Sequence, residues 1–141
     1  IRRQRQMCIR DRSKASVSRA RRVLVVDDSP VVRDLLVEML RAAGFETTTA
    51  ADGRLGLAAL ERFSPDVILS DVDMPVMDGF QFLKAVRARH KTVPIIMLST
   101  RASAADREAA TTNGADAYLV KSQFAETTLI DTVRRYAAGA T

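Results

Sequence analysis

The chain is 141 residues long, which is room for one ordinary domain, and 47% of its residues are hydrophobic, as in a globular protein with a core. Its formal charge of +5 is unevenly distributed: residues 1–22 carry +8 and residues 23–141 carry −3. No apolar run approaches the ~20 residues that a membrane-spanning helix needs. The single cysteine, Cys8, excludes a disulfide framework, so the chain is expected to be cytoplasmic and to have no membrane partner.

Residues 1–22 are polar, Arg-rich and without helical or strand periodicity, which predicts a disordered basic tail before a folded domain over residues 23–141. Within this tail, residues 5–11 (RQMCIRD) resemble the translation of a sequencing-library adapter, so roughly the first dozen residues are expected to be an assembly artefact. A basic arm that binds nucleic acid is the alternative. Because the tail lacks interleaved aromatic side chains, nucleic acid is not the expected partner.

From residue 23 onward, short apolar runs alternate with amphipathic stretches. Residues 23–26 (VLVV) predict a buried strand, and Ser29 followed by Pro30 predicts the start of a helix that Gly44 ends. Apolar residues recur in this helix at helical spacing, namely Val31, Val32, Leu35, Leu36, Met39 and Leu40. Residues 45–50 predict a second strand, and its three threonines suit a sheet edge.

The alternation continues along the rest of the chain. Three more apolar runs predict buried strands at residues 67–69, 95–98 and 117–120. Further helices are predicted from residues at helical spacing: Leu55, Leu57, Ala58 and Leu60, then Phe80, Phe82, Leu83 and Val86, and finally Leu129, Ile130, Val133 and Tyr136. Ser103 and Asp106 are a predicted capping pair for the fourth helix.

Five strands alternating with five helices predict an α/β fold, a doubly wound parallel sheet with right-handed crossovers and helices on both faces. In such sheets, ligands bind beyond the carboxyl ends of the strands. The polar residues at these ends are Asp27 and Asp28 in the first strand, Asp71 in the third, Ser99 in the fourth and Lys121 in the fifth. They are therefore expected at one edge of the sheet.

This set of side chains suits phosphoryl transfer. Three crowded carboxylates repel one another and raise at least one pKa, unless a divalent cation lies between them. Mg²⁺ prefers oxygen ligands, and a lysine ammonium suits a phosphoryl oxygen. Each of these residues has a more common role when it follows a strand by itself. An Asp pair is then more often a helix cap, a Lys is usually a charged surface residue, and a Ser is usually part of a turn. Their joint position at strand ends favours a site in which an aspartate is the nucleophile.

Four segments carry a resemblance to a known family: residues 25–29 (VVDDS), 70–79 (SDVDMPVMDG), 94–99 (PIIMLS) and 117–121 (AYLVK). They resemble the corresponding motifs of bacterial response-regulator receiver domains, the CheY-like domains. The similarity extends from about Val23 to Ala138. It implies a flavodoxin-like five-stranded sheet in the order 2-1-3-4-5.

The resemblance also implies how a phosphoryl group is taken up. Asp71 would accept it from a phosphohistidine of a sensor histidine kinase or a histidine phosphotransfer domain. Mg²⁺ would be held by Asp27, Asp28 and Asp71, together with the backbone carbonyl of Asp73. The domain would catalyse its own phosphorylation and dephosphorylation and would not turn over a separate metabolite.

The remaining implied roles concern the switch that follows. Lys121 would pair with Asp71 and then with the phosphoryl group, and Ser99 would turn its hydroxyl toward that group. Tyr118 would move inward and change the surface of the fourth helix, fifth strand and fifth helix that a downstream protein target reads. Met74-Pro75 and Gly79 would shape the loop around Asp71.

Two positions, Thr100 and Ser122, depart from the common pattern of the family. Thr100 follows Ser99 where a smaller residue is common, so access to the phosphoryl group is expected to be narrower. Ser122 stands where proline is usual, so a trans peptide bond is expected before it. Asp73 and Arg101 flank the predicted pocket, and we hypothesise an ion pair between them that shields the phosphoryl group from water. The lone His90 is expected to be a surface residue at a helix end.

Residues 99–101 and 114–124 are especially similar to the C-terminal receiver of hybrid chemotaxis-type histidine kinases, which predicts a fragment of such a kinase. A stand-alone regulator is the other possibility within this function. Outside it, one alternative is an aspartate-nucleophile phosphatase, since a second acid, Asp73, lies two residues after Asp71; no segment is long enough to form the substrate-covering cap of such enzymes. A regulator that binds DNA through its basic tail is the other alternative.

Overall fold

The computed structural model describes residues 20–100, 103–121 and 125–138. Within these ranges, five strands alternate with five helices, as the sequence predicts. The elements in chain order are β1 (Arg22–Val26), α1 (Pro30–Ala42), β2 (Glu46–Ala50), α2 (Gly53–Phe63), β3 (Val67–Asp71), α3 (Gly79–Arg89), β4 (Ile95–Ser99), α4 (Ala104–Thr112), β5 (Ala117–Val120) and α5 (Glu126–Ala137). None of these helices is both long and apolar enough to cross a membrane.

The five strands form one parallel sheet in the order β2-β1-β3-β4-β5. The predicted fold and strand order are therefore confirmed. The threonine-rich β2 lies at one edge of the sheet, where Glu46 and Thr49 are exposed and Ala50 is buried. β1 pairs with β2 on one side and with β3 on the other, so the direction in which successive strands are added to the sheet reverses at β1. In doubly wound sheets, the loops after the two strands at such a point lead to opposite faces of the sheet and leave a crevice between them.

Helices cover both faces of the sheet. On one face, α1 and α5 bury Leu36, Leu40, Leu129 and Val133 against the odd-numbered residues of β1 and β3. On the other face, α2, α3 and α4 pack around Phe82, which is fully buried. The central strands β1, β3 and β4 are buried almost throughout, which explains why they read as continuous apolar runs in the sequence.

The predicted helix starts are confirmed. The Ser29 hydroxyl accepts a hydrogen bond from the Val32 amide at 3.3 Å, with Pro30 at the first helical position. The Ser103 hydroxyl accepts from the Asp106 amide at 3.1 Å and donates to the Asp106 carboxylate at 2.6 Å. These caps satisfy amides that have no partner inside the helix.

Not every apolar residue at helical spacing lies in the core. Val31, Leu35 and Leu55 are 76%, 54% and 47% exposed. In α2, core positions are taken instead by small residues such as Gly56, where a Cβ atom would come within 2.9 Å of the Phe82 ring. Helical periodicity predicts which residues share one face of a helix. How many of them are buried depends on how closely that helix packs against the sheet.

Some expectations concern residues outside the described ranges. Of the predicted tail, residues 20–22 are described, and Arg22 is already the first residue of β1. The expectations outside the described ranges are the disorder of residues 1–19, the ion pair of Arg101 with Asp73, and the peptide bond before Ser122. They stay predictions.

Candidate functional site

The carboxyl ends of the strands bring the predicted residues to one edge of the sheet. Asp71 is the last residue of β3 and pairs in register with Leu98, so that Ser99 lies one position beyond it on β4. Ser99 in turn pairs with Val120, which immediately precedes Lys121. The register of a parallel sheet thus sets residues distant in sequence side by side.

Three carboxylates meet at this edge. Asp27, Asp28 and Asp71 each offer an oxygen, and these oxygens all lie within 4.8 Å of one another. Asp27 and Asp71 are only 1% and 5% exposed, whereas Asp28 faces solvent. Two of the three clustered carboxylates are thus shielded from solvent, and the third is exposed to it.

Lys121 is the cation inside the cluster. Its Nζ lies 3.0 Å from Asp27 Oδ2 and 3.2 Å from Asp71 Oδ1. The resemblance implied a pair with Asp71, and the ammonium bridges both buried carboxylates. One charge between two acids leaves the cluster with a net negative charge.

The unbalanced charge and the burial perturb both partners. Burial, together with repulsion from Asp27, raises the pKa of Asp71 to about 6, and the nearby Lys121 offsets this only in part. Burial by itself would lower the pKa of Lys121, but its hydrogen bonds and charge interactions with Asp27 and Asp71 outweigh that effect and raise it. Lys121 is therefore held as a cation, while Asp71 ionises less readily than an exposed aspartate.

The backbone around Asp71 is tightly constrained. Its Oδ1 accepts a hydrogen bond from the Val72 amide at 2.9 Å, and the Gly79 amide donates to the Val72 carbonyl at 2.7 Å. A Cβ atom on Gly79 would clash with the Asp71 carbonyl oxygen and would lie 2.7 Å from the Val72 Cα. The start of α3 therefore approaches the end of β3 so closely that only glycine fits at residue 79.

Every polar group of Asp27 takes part in a hydrogen bond. Its amide donates to the Ala50 carbonyl at 3.1 Å, and its Oδ1 accepts from the Ser29 amide at 2.9 Å. Its carbonyl accepts from Arg33 Nη1 at 2.7 Å. The sequence prediction missed Arg33; the available signal was a basic residue one turn into the helix that follows the Asp pair.

The other predicted residues lie around this cluster. Ser99 is fully buried, and its carbonyl accepts a hydrogen bond from the Lys121 amide at 2.7 Å. Tyr118 is half-buried against the core on the α2–α4 face, with the Arg107 guanidinium 5.5 Å from its ring centre. Asp73 lies exposed in the loop after β3. The described residues thus unite Asp27, Asp28, Asp71 and Lys121 by direct proximity, and Ser99 by strand register.

His90 lies elsewhere. It ends α3, before the start of β4, and its Nε2 is 3.0 Å from Glu61 Oε2. Its position at an exposed helix end is the one predicted from the sequence.

The donor set at the sheet edge fits a hard divalent cation. All three clustered donors are carboxylate oxygens, and Mg²⁺ is usually held by one or two carboxylates, waters and phosphate oxygens. Because Asp28 is exposed, solvent reaches this side of the cluster, where water could supply the remaining ligands of a cation. No thiol or imidazole belongs to the cluster, so the chemistry of the donors favours Mg²⁺ over a softer metal.

Comparison with known proteins agrees with this geometry. The family model of the response regulator receiver domain matches residues 23–134. The transcriptional regulatory protein PrrA of Mycobacterium tuberculosis is 47% identical over 100 residues, which are 71% of this chain and 43% of PrrA. The chain therefore spans less than half the length of that relative.

Two solved structures are similar along nearly their whole length. The chemotaxis response regulator CheY4 of Vibrio cholerae is 44% identical with a TM-score of 0.78, over 84% of this chain and 99% of that one. The receiver domain of the sensor histidine kinase PA1611 from Pseudomonas aeruginosa PAO1 is 34% identical with a TM-score of 0.77, over 85% and 99% of the two chains. That structure has a magnesium ion coordinated in its active-site cleft. The fold, the acidic cluster and the family match agree, and the chain belongs to the response regulator receiver domains of two-component systems.

Proposed function

We propose that this chain accepts a phosphoryl group on Asp71 from a phosphohistidine of a sensor histidine kinase or a histidine phosphotransfer domain. The observation that carries the proposal is the position of Asp71: a buried carboxylate within 4.8 Å of two others and 3.2 Å from Lys121. Such a cluster has the positioned charges that phosphoryl transfer needs, since catalysis of this reaction is mainly electrostatic.

Asp71 suits the nucleophile better than Asp27 does. Both carboxylate oxygens of Asp27 accept hydrogen bonds, one from the Ser29 amide and one from Lys121. In Asp71, Oδ1 accepts from the Val72 amide and contacts Lys121, and no described group donates to Oδ2. The Oδ2 atom is thus available to form the new oxygen–phosphorus bond as the phosphorus–nitrogen bond of the donor breaks and its imidazole leaves.

We assign the divalent cation to Asp27, Asp28 and Asp71, with the carbonyl of Asp73 as a further ligand. When bound, Mg²⁺ would offset the repulsion among the carboxylates and the charge of the phosphoryl oxygens. Lys121 would then exchange its contact with Asp71 for one with a phosphoryl oxygen, as a point charge on a flexible stem can do.

The output of the domain would be a change around Ser99 and Tyr118. Ser99 would donate its hydroxyl to the phosphoryl group, and Tyr118 would move inward, away from Arg107. The surface formed by α4, β5 and α5 would then present a different shape to a downstream protein. A role in chemotaxis, in a hybrid kinase or alone, is the context that we favour, and the likeness to CheY4 supports it.

The two other functions considered have less support. An aspartate-nucleophile phosphatase would need a segment that covers its substrate, and the described ranges consist of the sheet, its helices and short loops. A DNA-binding function would rest on the basic tail, residues 1–22, of which residues 1–19 lie outside the described ranges.

The proposal is tested by giving the intact protein Mg²⁺ and a small phosphodonor such as acetyl phosphate. Mass spectrometry should show one added phosphoryl group, stable in acid and labile in base, on the peptide that contains Asp71. Asp71→Asn should abolish the added mass, because an amide is a far poorer nucleophile than a carboxylate.

Asp73→Asn is the matched control, since it removes an exposed acid two residues away and leaves the backbone carbonyl in place. It should still be phosphorylated. Failure of the wild type to gain the mass, or equal labelling of the Asp71→Asn variant, would overturn the proposal.

A further inference from the structure

We propose that Arg33 is a positioning residue for the metal site, holding Asp27 and Asp28 in place through the main-chain carbonyl of Asp27. The inference rests on the proposed function, because the cation concerned is the one proposed to support phosphoryl transfer. It concerns a residue in α1 that contributes no ligand atom of its own.

The contact is short and specific. Arg33 lies one turn into α1, where its amide donates to the Ser29 carbonyl at 2.9 Å. Its half-buried side chain folds back over the start of the helix, and Nη1 donates to the Asp27 carbonyl at 2.7 Å. No other described group donates to this carbonyl, which lies where the chain leaves β1. A hydrogen bond from a charged donor is stronger than one from a neutral amide.

The hydrogen bond from Arg33 matters because of where the Asp27 carbonyl lies in the chain. The Asp27 carbonyl and the Asp28 amide belong to one planar peptide unit, and that unit joins two of the three clustered carboxylates. Fixing the carbonyl therefore fixes the plane of this peptide unit and the position of the Asp28 Cα that it carries. Asp28 is the exposed member of the cluster, so the main chain has to supply the order that burial gives to Asp27 and Asp71.

Two effects of Arg33 on a bound cation have opposite signs. As a positive charge near the cluster, it repels a cation, so its removal would tighten metal binding. As a positioning residue, it orders the ligands, so its removal would weaken metal binding. Groups that orient metal ligands from outside typically contribute ten- to a hundredfold in affinity. The direction of the change therefore distinguishes the two roles.

The experiment measures divalent-cation binding to the full chain, with Mn²⁺ as the probe followed by electron paramagnetic resonance and Mg²⁺ added as competitor. Arg33→Met keeps the length and apolar stem of the side chain but removes its donors. We expect its Mn²⁺ dissociation constant to rise about tenfold. Hydrogen exchange at the Ser29 amide, which bonds Asp27 Oδ1, should also become faster.

Arg41→Met is the matched control. Arg41 lies in the same helix, about 12 Å farther along its axis, and its Nε donates to Thr47 Oγ1 at 3.1 Å on the exposed surface. The substitution removes the same charge and a comparable contact, and we expect the dissociation constant to change less than about twofold. Arg33→Lys, which keeps the charge and a donor, should recover most of the affinity.

The possible results distinguish a failure of the role of Arg33 from a failure of the metal site and from a failure of the proposed function. Unchanged or tighter Mn²⁺ binding by Arg33→Met would overturn the role of Arg33, as would a loss of thermal stability with an unchanged dissociation constant. If Arg33→Met does not fold, Arg33→Gln is compared in its place, with the same expected direction. A wild type that binds no Mn²⁺ would overturn the metal site and the role of Arg33 together. A wild type that binds Mn²⁺ but gains no phosphoryl group would overturn the proposed function alone.

Discussion

At the scale of single residues, the site is a balance between burial and charge. Asp71 is nearly inaccessible to solvent, close to Asp27, and paired with a single lysine that it shares. Burial and the charge of Asp27 together outweigh the effect of Lys121 and raise the pKa of Asp71 to about 6. A divalent cation bound as proposed would relieve this repulsion, so the stability of the domain and its proposed function would be coupled through Asp71.

The raised pKa predicts how stability depends on pH when divalent ions are removed. Between about pH 4 and pH 6, the folded state keeps the proton of Asp71 while the unfolded state has lost it. The free energy of unfolding should therefore fall as pH rises through this window and stay lower above it. The contribution of Asp71 is at most about 3 kcal/mol.

Urea denaturation in EDTA at pH 4 and pH 8, on the wild type and on Asp71→Asn, measures this effect. The variant should be more stable than the wild type at pH 8, and the difference should nearly vanish at pH 4. Asp73→Asn serves as the control, since it lies exposed in the neighbouring loop. An Asp71→Asn variant that is less stable than the wild type at pH 8 would contradict the interpretation.

At the scale of elements, the loop between β3 and α3 is short and strained. The loop connects the end of β3 to the start of α3, and at Gly79 the helix backbone lies very close to the backbone of Asp71. Val76, near its middle, has a φ of 70° and is 75% exposed. A β-branched residue in this left-handed region is unfavourable and gains little from packing here.

The strain predicts that Val76→Gly stabilises the fold. Relief of the backbone strain should exceed the greater freedom that glycine gives the unfolded chain, with a net gain of about 1 kcal/mol in the free energy of unfolding. Urea denaturation measures the gain. Val76→Ala keeps a Cβ atom and should recover only part of it. Equal effects of the two substitutions would show that the backbone conformation is not the cause.

At the scale of the whole molecule, Arg87 joins parts that are distant in the sequence. From α3, its guanidinium donates to the carbonyls of His90, Val93 and Gly114, at 3.1, 2.7 and 2.9 Å. It also pairs with the Asp116 carboxylate at 2.9 Å, just before β5. This connection lies at the end of the sheet opposite the acidic cluster, and it ties the start of β4 to the start of β5.

Loss of this connection should destabilise the whole domain. Arg87→Met would remove the donor to three carbonyls and one of the donors to Asp116 Oδ2, which also accepts from the Ile95 amide, so we expect the free energy of unfolding to fall by about 2–4 kcal/mol. Arg89→Met in the same helix removes an exposed arginine whose ion pair with Glu61 is 3.7 Å long, and it should cost less than about 0.5 kcal/mol. Similar losses in the two variants would argue against a special role of Arg87.

The order of elements and the composition of the site follow from the sequence. The continuous apolar runs of β1, β3 and β4 predict buried parallel strands, because both faces of such strands are covered. Parallel strands all present their carboxyl ends to one edge, so the positions of Asp27, Asp71 and Lys121 at strand ends predict their proximity. Local patterning is sufficient for this because chain direction and alternation are properties of consecutive residues.

The three-dimensional structure decided what depends on contacts between distant segments. The bridging of two carboxylates by Lys121, the raised pKa of Asp71 and the hydrogen bond from Arg33 depend on distances across the sheet edge. The exposure of Val31 and Leu35 depends on how closely α1 approaches the sheet. The sequence therefore determined which groups meet at the site, and only tertiary packing decided how they are paired, buried and charged, because those properties depend on the distance and solvent access of every neighbour.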